Sequence, residues 1–276
     1  MHSSPRSSSR DYVVLATPRS GSTYLCDALA GAGAGDPQEW FSRALIHHHA
    51  GEWGMRGACS TVQAPDLHSP AEYLDAVGVG ARVDGILSVK VHWHQYQWVQ
   101  QRFGADPLQI FGDTTRPAAV RIYRKDLVGQ AVSSLIADTT HVFFQRKGEE
   151  PSVSFEYEGT DRSETVVYDF YEILRRVIRF AEDEEHWSRF VADRGLRSVS
   201  VAYESLVEDL TGTVRGVLDH LGIAARSEPA SSLAKQATER NQEFSERFRA
   251  ELRAYRVPDS LSEGMVHRLG LEGAAA

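Results

Sequence analysis

Seven consecutive residues, Thr17-Pro18-Arg19-Ser20-Gly21-Ser22-Thr23, carry the densest chemistry in the chain. The apolar run Tyr12–Ala16 leads straight into them, and a segment with Leu25 and Leu29 at helical spacing follows. A strand, a tight loop and a helix start in that order make an anion cradle. Gly21 lets the backbone turn closely, successive N–H groups point inward as a nest, and the helix N-terminus adds partial positive charge. Ser22 and Thr23 contribute hydroxyl donors, and Arg19 a full charge. A phosphate or a sulfate fits such a cradle. The loop is not that of a nucleoside triphosphatase, because no lysine follows Gly21. Gly31-Ala32-Gly33-Ala34-Gly35 follows a helix rather than a strand and reads as a flexible turn, not as a dinucleotide fingerprint. On these residues alone, a plain strand-to-helix turn stays open as an alternative.

Such groups need elements to hold them. Short apolar runs alternate with longer helical segments, the pattern of an α/β fold around a parallel sheet. Strands are predicted at Tyr12–Ala16, Ile86–His92, Ala119–Arg124 and Val199–Tyr203. Helices are predicted at Thr23–Ala30, Asp126–Asp138, Tyr168–Asp193 and Thr213–Leu221. The long one should bury Leu174, Ile178 and Ala181, and the last should end at Gly222. Residues 47–70, rich in histidine and glycine, and residues 146–165, polar and acidic, resist this scheme and are expected to be lids or binding loops. No repeat or linker splits the chain, so one domain over 11–269 is expected between tails at 1–10 and 270–276.

With 276 residues, 42% of them apolar, the chain can bury a substantial core. Its net charge of −8, with scattered basic residues, argues against a general nucleic-acid or anionic-membrane surface but permits a local basic pocket. No run reaches the roughly 18 apolar residues needed to cross a bilayer. Met1–Arg10 lacks the apolar centre of a secretory signal. Cys26 and Cys59 fit no metal or redox spacing, so a cytoplasmic protein with free thiols is expected. His47, His48 and His49 suggest a metal, but no carboxylate or cysteine is evidently placed to complete a site and adjacent histidines should point apart. No metal is expected.

The loop, continued by Gly35-Asp36-Pro37-Gln38-Glu39-Trp40-Phe41, resembles the mycobacterial trehalose 2-sulfotransferase family. Its members carry an Arg-Ser-Gly-Ser-Thr loop and a Pro-Gln-Glu-aromatic-Phe segment at about this spacing. The resemblance continues through Val89-Lys90-Val91, Arg124-x-Asp126 with Gln130-Ala131-Val132-Ser133, and Lys235-Gln236-Ala237. It therefore covers nearly the whole chain apart from the two irregular segments. Tyr203-Glu204-Ser205-Leu206 is also similar to the Tyr-Glu-x-Leu segment of sulfotransferases that use PAPS (3′-phosphoadenosine 5′-phosphosulfate). The resemblance implies a P-loop-type three-layer fold, a central parallel sheet flanked by helices, with PAPS at the sheet's C-terminal edge. On that likeness Arg19, Ser20, Gly21, Ser22 and Thr23 hold the 5′-phosphosulfate, and Arg124 and Ser133 the 3′-phosphate. Lys235 and Arg240 are further candidates for the nucleotide's phosphates. A homodimer is implied as well.

Sulfuryl transfer needs an acceptor oxygen in line with the leaving phosphate oxygen and positive charge around the moving group. Arg19 and Lys90 are the expected charges, Arg19 acting only electrostatically because a guanidinium does not lose its proton. Glu39 matches the family's catalytic glutamate, and its neighbours Trp40 and Phe41 would desolvate it into a better base. His92 departs from the family. Lys90-Val91-His92 resembles instead the Lys-x-His segment of animal cytosolic sulfotransferases, where the histidine is the base. Glu39 is the first expectation for the base and His92 the second. The implied reaction moves sulfuryl from PAPS to a hydroxyl of a carbohydrate such as trehalose, or of a glycolipid. With His92 as base, the acceptor would be an aromatic, lipid or secondary-metabolite hydroxyl. Trp40, Phe41, Trp53, Trp93 and Tyr96 are expected around the acceptor pocket. Two other classes remain: a nucleotide-dependent phosphotransferase, against which the absent Gly-Lys pair counts, and a non-catalytic anion-binding module.

Overall fold

The computed structural model describes residues 10–55, 70–112, 116–149, 166–234, 238–254 and 263–270. Five strands form one sheet: β1 (Tyr12–Ala16), β2 (Arg82–Val83), β3 (Ile86–His92), β4 (Ala118–Tyr123) and β5 (Ser198–Ala202). Their order is β2-β3-β1-β4-β5, and every neighbouring pair is parallel except β2 with β3. β1 lies in the middle because all five of its side chains are apolar and buried, which leaves no face for water. Alternation along it feeds two cores. Val13 and Leu15 join Val89, Val91, Phe41 and Trp187 on one face. Tyr12, Val14 and Ala16 join Leu25, Leu29, Val120 and Leu218 on the other.

The helices are α1 (Ser22–Gly31), α2 (Arg43–Glu52), α3 (Pro70–Gly80), α4 (Trp93–Phe103), α5 (Leu127–Thr140), α6 (Phe170–Arg194), α7 (Tyr203–Glu208), α8 (Leu210–Leu221), α9 (Glu239–Ala254) and α10 (Glu263–Leu269). The predicted strands and helices are all present, with ends displaced by up to three residues. The buried face of α6 is corrected. Ile173, Val177, Phe180 and Trp187 point inward, and Leu174 and Ala181 pack partly buried against the core, whereas Ile178 is 50% exposed. Two overlapping apolar stripes run along this helix, and packing against α5 and β1 selects the one that a sequence pattern does not distinguish. Two expected irregular segments are corrected in part. Residues 47–52 form the second half of α2, while 56–69 and 150–165 lie outside the described residues. The Gly31–Gly35 turn is packed rather than loose: Ala32 and Ala34 are fully buried, and the Tyr12 hydroxyl donates to the Ala34 carbonyl at 2.8 Å.

From β1 the chain goes first to β3 on one side and later to β4 and β5 on the other. The carboxyl ends of β1, β3 and β4 therefore meet where the winding reverses, the place where open α/β sheets bind ligands. Thr17–Gly21, His92 and Arg124 all lie on that edge. No helix among the described residues is long and apolar enough to cross a membrane.

Candidate active site

The loop after β1 has the backbone of a cradle. Gly21 sits at φ 88°, and a Cβ there would lie 2.3 Å from the Tyr203 ring, so only glycine fits. Arg19 is also left-handed, at φ 60°, a conformation that costs a non-glycine residue about 1–3 kcal/mol. Something must hold it there. Gln130 on α5 does so, its Nε2 donating to Thr17 Oγ1 and to the Pro18 carbonyl, both at 2.7 Å. No side chain caps α1, whose first helical bond runs from Leu25 N to the Gly21 carbonyl at 3.0 Å. The preceding N–H groups are left to a ligand. Arg19 Nε donates to Ser133 Oγ at 3.1 Å, and Arg19 also reaches the Phe143 carbonyl. Burial, and then the Arg124 charge, lower its pKa, as expected of two cations drawn together around space for an anion.

Glu39 comes to the same edge through the backbone. Gln38 pairs with Val89 as a one-residue parallel bridge, and Lys90 N donates to the Gln38 carbonyl at 2.9 Å. Trp40 and Phe41, both buried, anchor the segment on its far side. This sets Glu39 Oε1 at 2.7 Å from Lys90 Nζ, while Lys90 Nζ also donates to Thr23 Oγ1 at 3.1 Å. Gln95 donates to Glu39 Oε2 at 2.7 Å, and its own Oε1 accepts from His92 N at 3.0 Å at the start of α4. Burial pushes the Glu39 carboxyl up, but Lys90, His92 and the two hydrogen bonds outweigh it and hold the group well below the usual carboxylate range. Lys90 shows the reverse balance: burial works against its charge, and Glu39 more than offsets that. His92 Nδ1 lies 3.9 Å from Glu39 Oε2. Burial takes this imidazole down to about 3, so it is neutral near pH 7, and its buried Nε2 has no hydrogen-bond partner among the described residues.

One strand away, the Arg124 guanidinium lies 5.0 Å over the Tyr203 ring with its buried Nε unpartnered. It does not pair with Asp126, the plain alternative for a strand-end arginine. Asp126 caps α5 through Gly129 N at 2.8 Å and pairs with Arg249 at 2.7 Å. Arg19, Lys90, Arg124, Ser133 and Glu39 thus line one open cleft of about 1740 Å³, together with His92.

Lys235 lies outside the described residues. Arg240 is exposed on α9 and is not part of the cleft lining, which that helix reaches instead through Arg249. The five aromatics expected around an acceptor are corrected, since none of them lines the cleft. Trp40, Phe41 and Tyr96 are buried, and Trp53 and Trp93 pack against the same core beside α2, α3, α4 and α6. The cleft's aromatics are Tyr24, Phe143, Phe144 and Tyr203. The geometry assumed for the histidine run is also corrected. Adjacent His48 and His49 do converge, their ring centroids 5.3 Å apart, and Glu52 meets both: Nδ1 of His49 is 3.1 Å from its carboxylate. His49 packs tilted against Trp40 at 4.2 Å and stacks on Trp53 at 5.7 Å, as a hydrogen-bonded core histidine does. Gln95 and Arg249 were missed by sequence reasoning, and Gln130 was quoted in a segment without a role. For Gln95 the only signal is its place three residues after His92, where a helix-start side chain reaches back.

Fold and site together define a class, an α/β protein whose sheet edge gathers two arginines, a lysine and an uncapped helix start. The chain belongs to the Stf0 sulphotransferase family, whose model matches residues 11–251. It is 31% identical over 266 residues to a trehalose 2-sulfotransferase of Mycobacterium tuberculosis, covering 88% of this chain and 95% of that one. To the trehalose 2-sulfotransferase of Mycolicibacterium smegmatis it is 28% identical over 270 residues, covering 90% and 97%. Among solved structures, a sulfotransferase from Alicyclobacillus acidocaldarius is similar at a TM-score of 0.45 and 13% identity, with 95% of this chain and 96% of that one covered.

Proposed function

We propose that this sulfotransferase moves the sulfuryl group of PAPS to a hydroxyl of a small, sugar-like acceptor, with Glu39 as the base. Lys90 carries the reading: one ammonium bridges the candidate base at 2.7 Å and the loop hydroxyl of Thr23 at 3.1 Å. A group bound at the loop then sits within reach of both the carboxylate and the charge. Arg19 and the uncapped start of α1 would take the 5′-phosphosulfate, and Arg124 and Ser133 the 3′-phosphate. The trehalose 2-sulfotransferases it resembles make trehalose the first acceptor to test.

In the transfer, the acceptor oxygen attacks sulfur, the S–O bond to the 5′-phosphate breaks, and the acceptor's proton goes to Glu39. Adenosine 3′,5′-bisphosphate leaves with the electron pair. Lys90 and Arg19 face the charge that spreads over the sulfuryl oxygens. As the sulfuryl group draws Lys90 away, the burial that raises the Glu39 carboxyl is less opposed, so donor binding makes the base stronger. His92, neutral and buried, stands behind Glu39 as a second base.

The test has two parts. Adenosine 3′,5′-bisphosphate should bind and ATP should not compete at equal concentration; equal binding of both would remove the donor assignment. Labelled-sulfate transfer to trehalose and to pooled sugars and phenols should then fall by about 10²–10⁴-fold in Glu39→Gln. Near-full turnover of Glu39→Gln with loss in His92→Asn would move the base to His92.

A further inference from the structure

The cations that line the cleft differ in what they already hold. Lys90 is paired with Glu39, and Arg249 with Asp126. Arg146 donates to Ser232 Oγ at 3.2 Å and Lys147 to the Ser231 carbonyl at 2.9 Å. Arg19 binds Ser133, and Arg124 rests on Tyr203. Arg179 of α6 also lines the cleft, half-buried, yet no carboxylate lies within ion-pair distance of it among the described residues. The nearest acidic neighbours are committed or withdrawn. Asp138 is held by Arg176 and by Ser134, and Asp183 sits one turn further along α6, largely buried.

Arg179 shares the cleft with Glu39, His92 and His94. Its charge is felt by both His92 and His94, whose rings are 5.6 Å apart and both line the cleft. This stretch of wall is thus two imidazoles and a guanidinium that lies 5.0 Å over the Phe180 ring and makes no ion pair among the described residues. A neutral polyol would use the acceptors of this wall, Glu39 and the neutral imidazoles, but the guanidinium offers it donors alone. A planar guanidinium with free N–H groups suits a carboxylate or a phosphate instead.

From this we infer that Arg179, with His94, forms a subsite for an anionic substituent of the acceptor, so that the substrate class is a hydroxylated molecule bearing a phosphate or carboxylate. The inference rests on the sulfotransferase reading and shifts its acceptor from neutral trehalose to an anionic hydroxyl compound. A charge-assisted pair of hydrogen bonds is worth about 1.5–3 kcal/mol, or roughly 10–100-fold in affinity.

The experiment is calorimetric titration of the enzyme–adenosine 3′,5′-bisphosphate complex with glucose 6-phosphate, glucuronate and glucose, in wild type, Arg179→Leu and Arg179→Lys. The expected result is at least about tenfold tighter binding of an anionic sugar than of glucose. In Arg179→Leu that ratio falls to about one, with the bisphosphate Kd unchanged, and Arg179→Lys restores part of it. The phosphate and carboxylate arms say which anion the subsite prefers. A wild-type ratio near one, a ratio that survives Arg179→Leu, or a loss of bisphosphate affinity in Arg179→Leu overturns the inference while leaving sulfuryl transfer intact. Failure of wild type to bind the bisphosphate at all overturns both.

Discussion

Replacing Lys90 by methionine tests the coupling on which the site is built. The side chains of Lys90 and Glu39 are 6% and 24% exposed and 2.7 Å apart, so the variant strands a mostly buried carboxylate with Gln95 as its remaining close donor. Removing one partner of a buried pair costs about 3–5 kcal/mol, and the partial exposure of Glu39 puts the expectation near the lower figure, about 3 kcal/mol. The pH dependence has a definite sign. In wild type the Glu39 carboxyl is held below its ordinary value of 4.5, so its stabilising contribution is complete above that pH and fades as pH falls toward the depressed value. In Lys90→Met, burial is opposed only by His92 and Gln95, and the carboxyl rises above 4.5. The folded variant then takes up a proton more readily than the unfolded chain, and its stability deficit shrinks as pH falls through the raised value. Urea unfolding at several pH values between about 5 and 8, with equal m-values, reads this directly. The double variant Lys90→Met/Glu39→Gln should recover much of the loss. A deficit below about 1 kcal/mol, the same at every pH, with additive double-variant energies, would refute the coupling.

Other outcomes follow from the same geometry. Gly21→Ala should cost more than about 2 kcal/mol in urea unfolding, because φ 88° and a 2.3 Å approach to Tyr203 both penalise a Cβ; a smaller loss would mean that Tyr203 moves aside. Gln95→Leu should lower kcat about tenfold and leave bisphosphate affinity alone, since Gln95 orients Glu39 without lining the phosphate loop; an effect confined to KM would assign it to acceptor binding. Arg124→Leu should weaken adenosine 3′,5′-bisphosphate by about 10–100-fold while leaving adenosine 5′-phosphate unchanged, as fluorescence or calorimetric titration would show; equal losses would place Arg124 at the 5′ end instead.

The strand-loop-helix of residues 12–31 and the strands β3 and β4 were legible because each is a short apolar run ended by polar punctuation. The helices missed were those whose buried stripe is thin or aromatic. α9 buries Phe244, Ser245 and Phe248 in an otherwise charged sequence, too little for periodicity to register. α4 begins at once after β3, and its tryptophans, glutamines and histidine give no strong repeat. Glu39, Lys90, Arg124 and Ser133 could be singled out by type and by likeness to a family. Their mutual geometry could not. That Lys90 touches Glu39 depends on a single parallel bridge at Gln38, and a bridge of one residue leaves no pattern in sequence. The aromatic cluster misled for a related reason: large rings next to a carboxylate serve equally as pocket lining or as core, and here the packing of α2, α3 and α4 made them core.

The Gln38–Val89 bridge has an evolutionary reading. Because the main chain ties the Glu39 segment to β3, the position of Glu39 follows the sheet, while Lys90 and Gln95 orient its carboxylate. Other walls of the cleft, on α6 and around Phe143, belong to other elements. On the proposed reading, the group that takes the proton and these walls therefore lie in separable parts of the chain. A lineage can exchange one hydroxyl compound for another by drift in those walls without rebuilding the step that moves the proton.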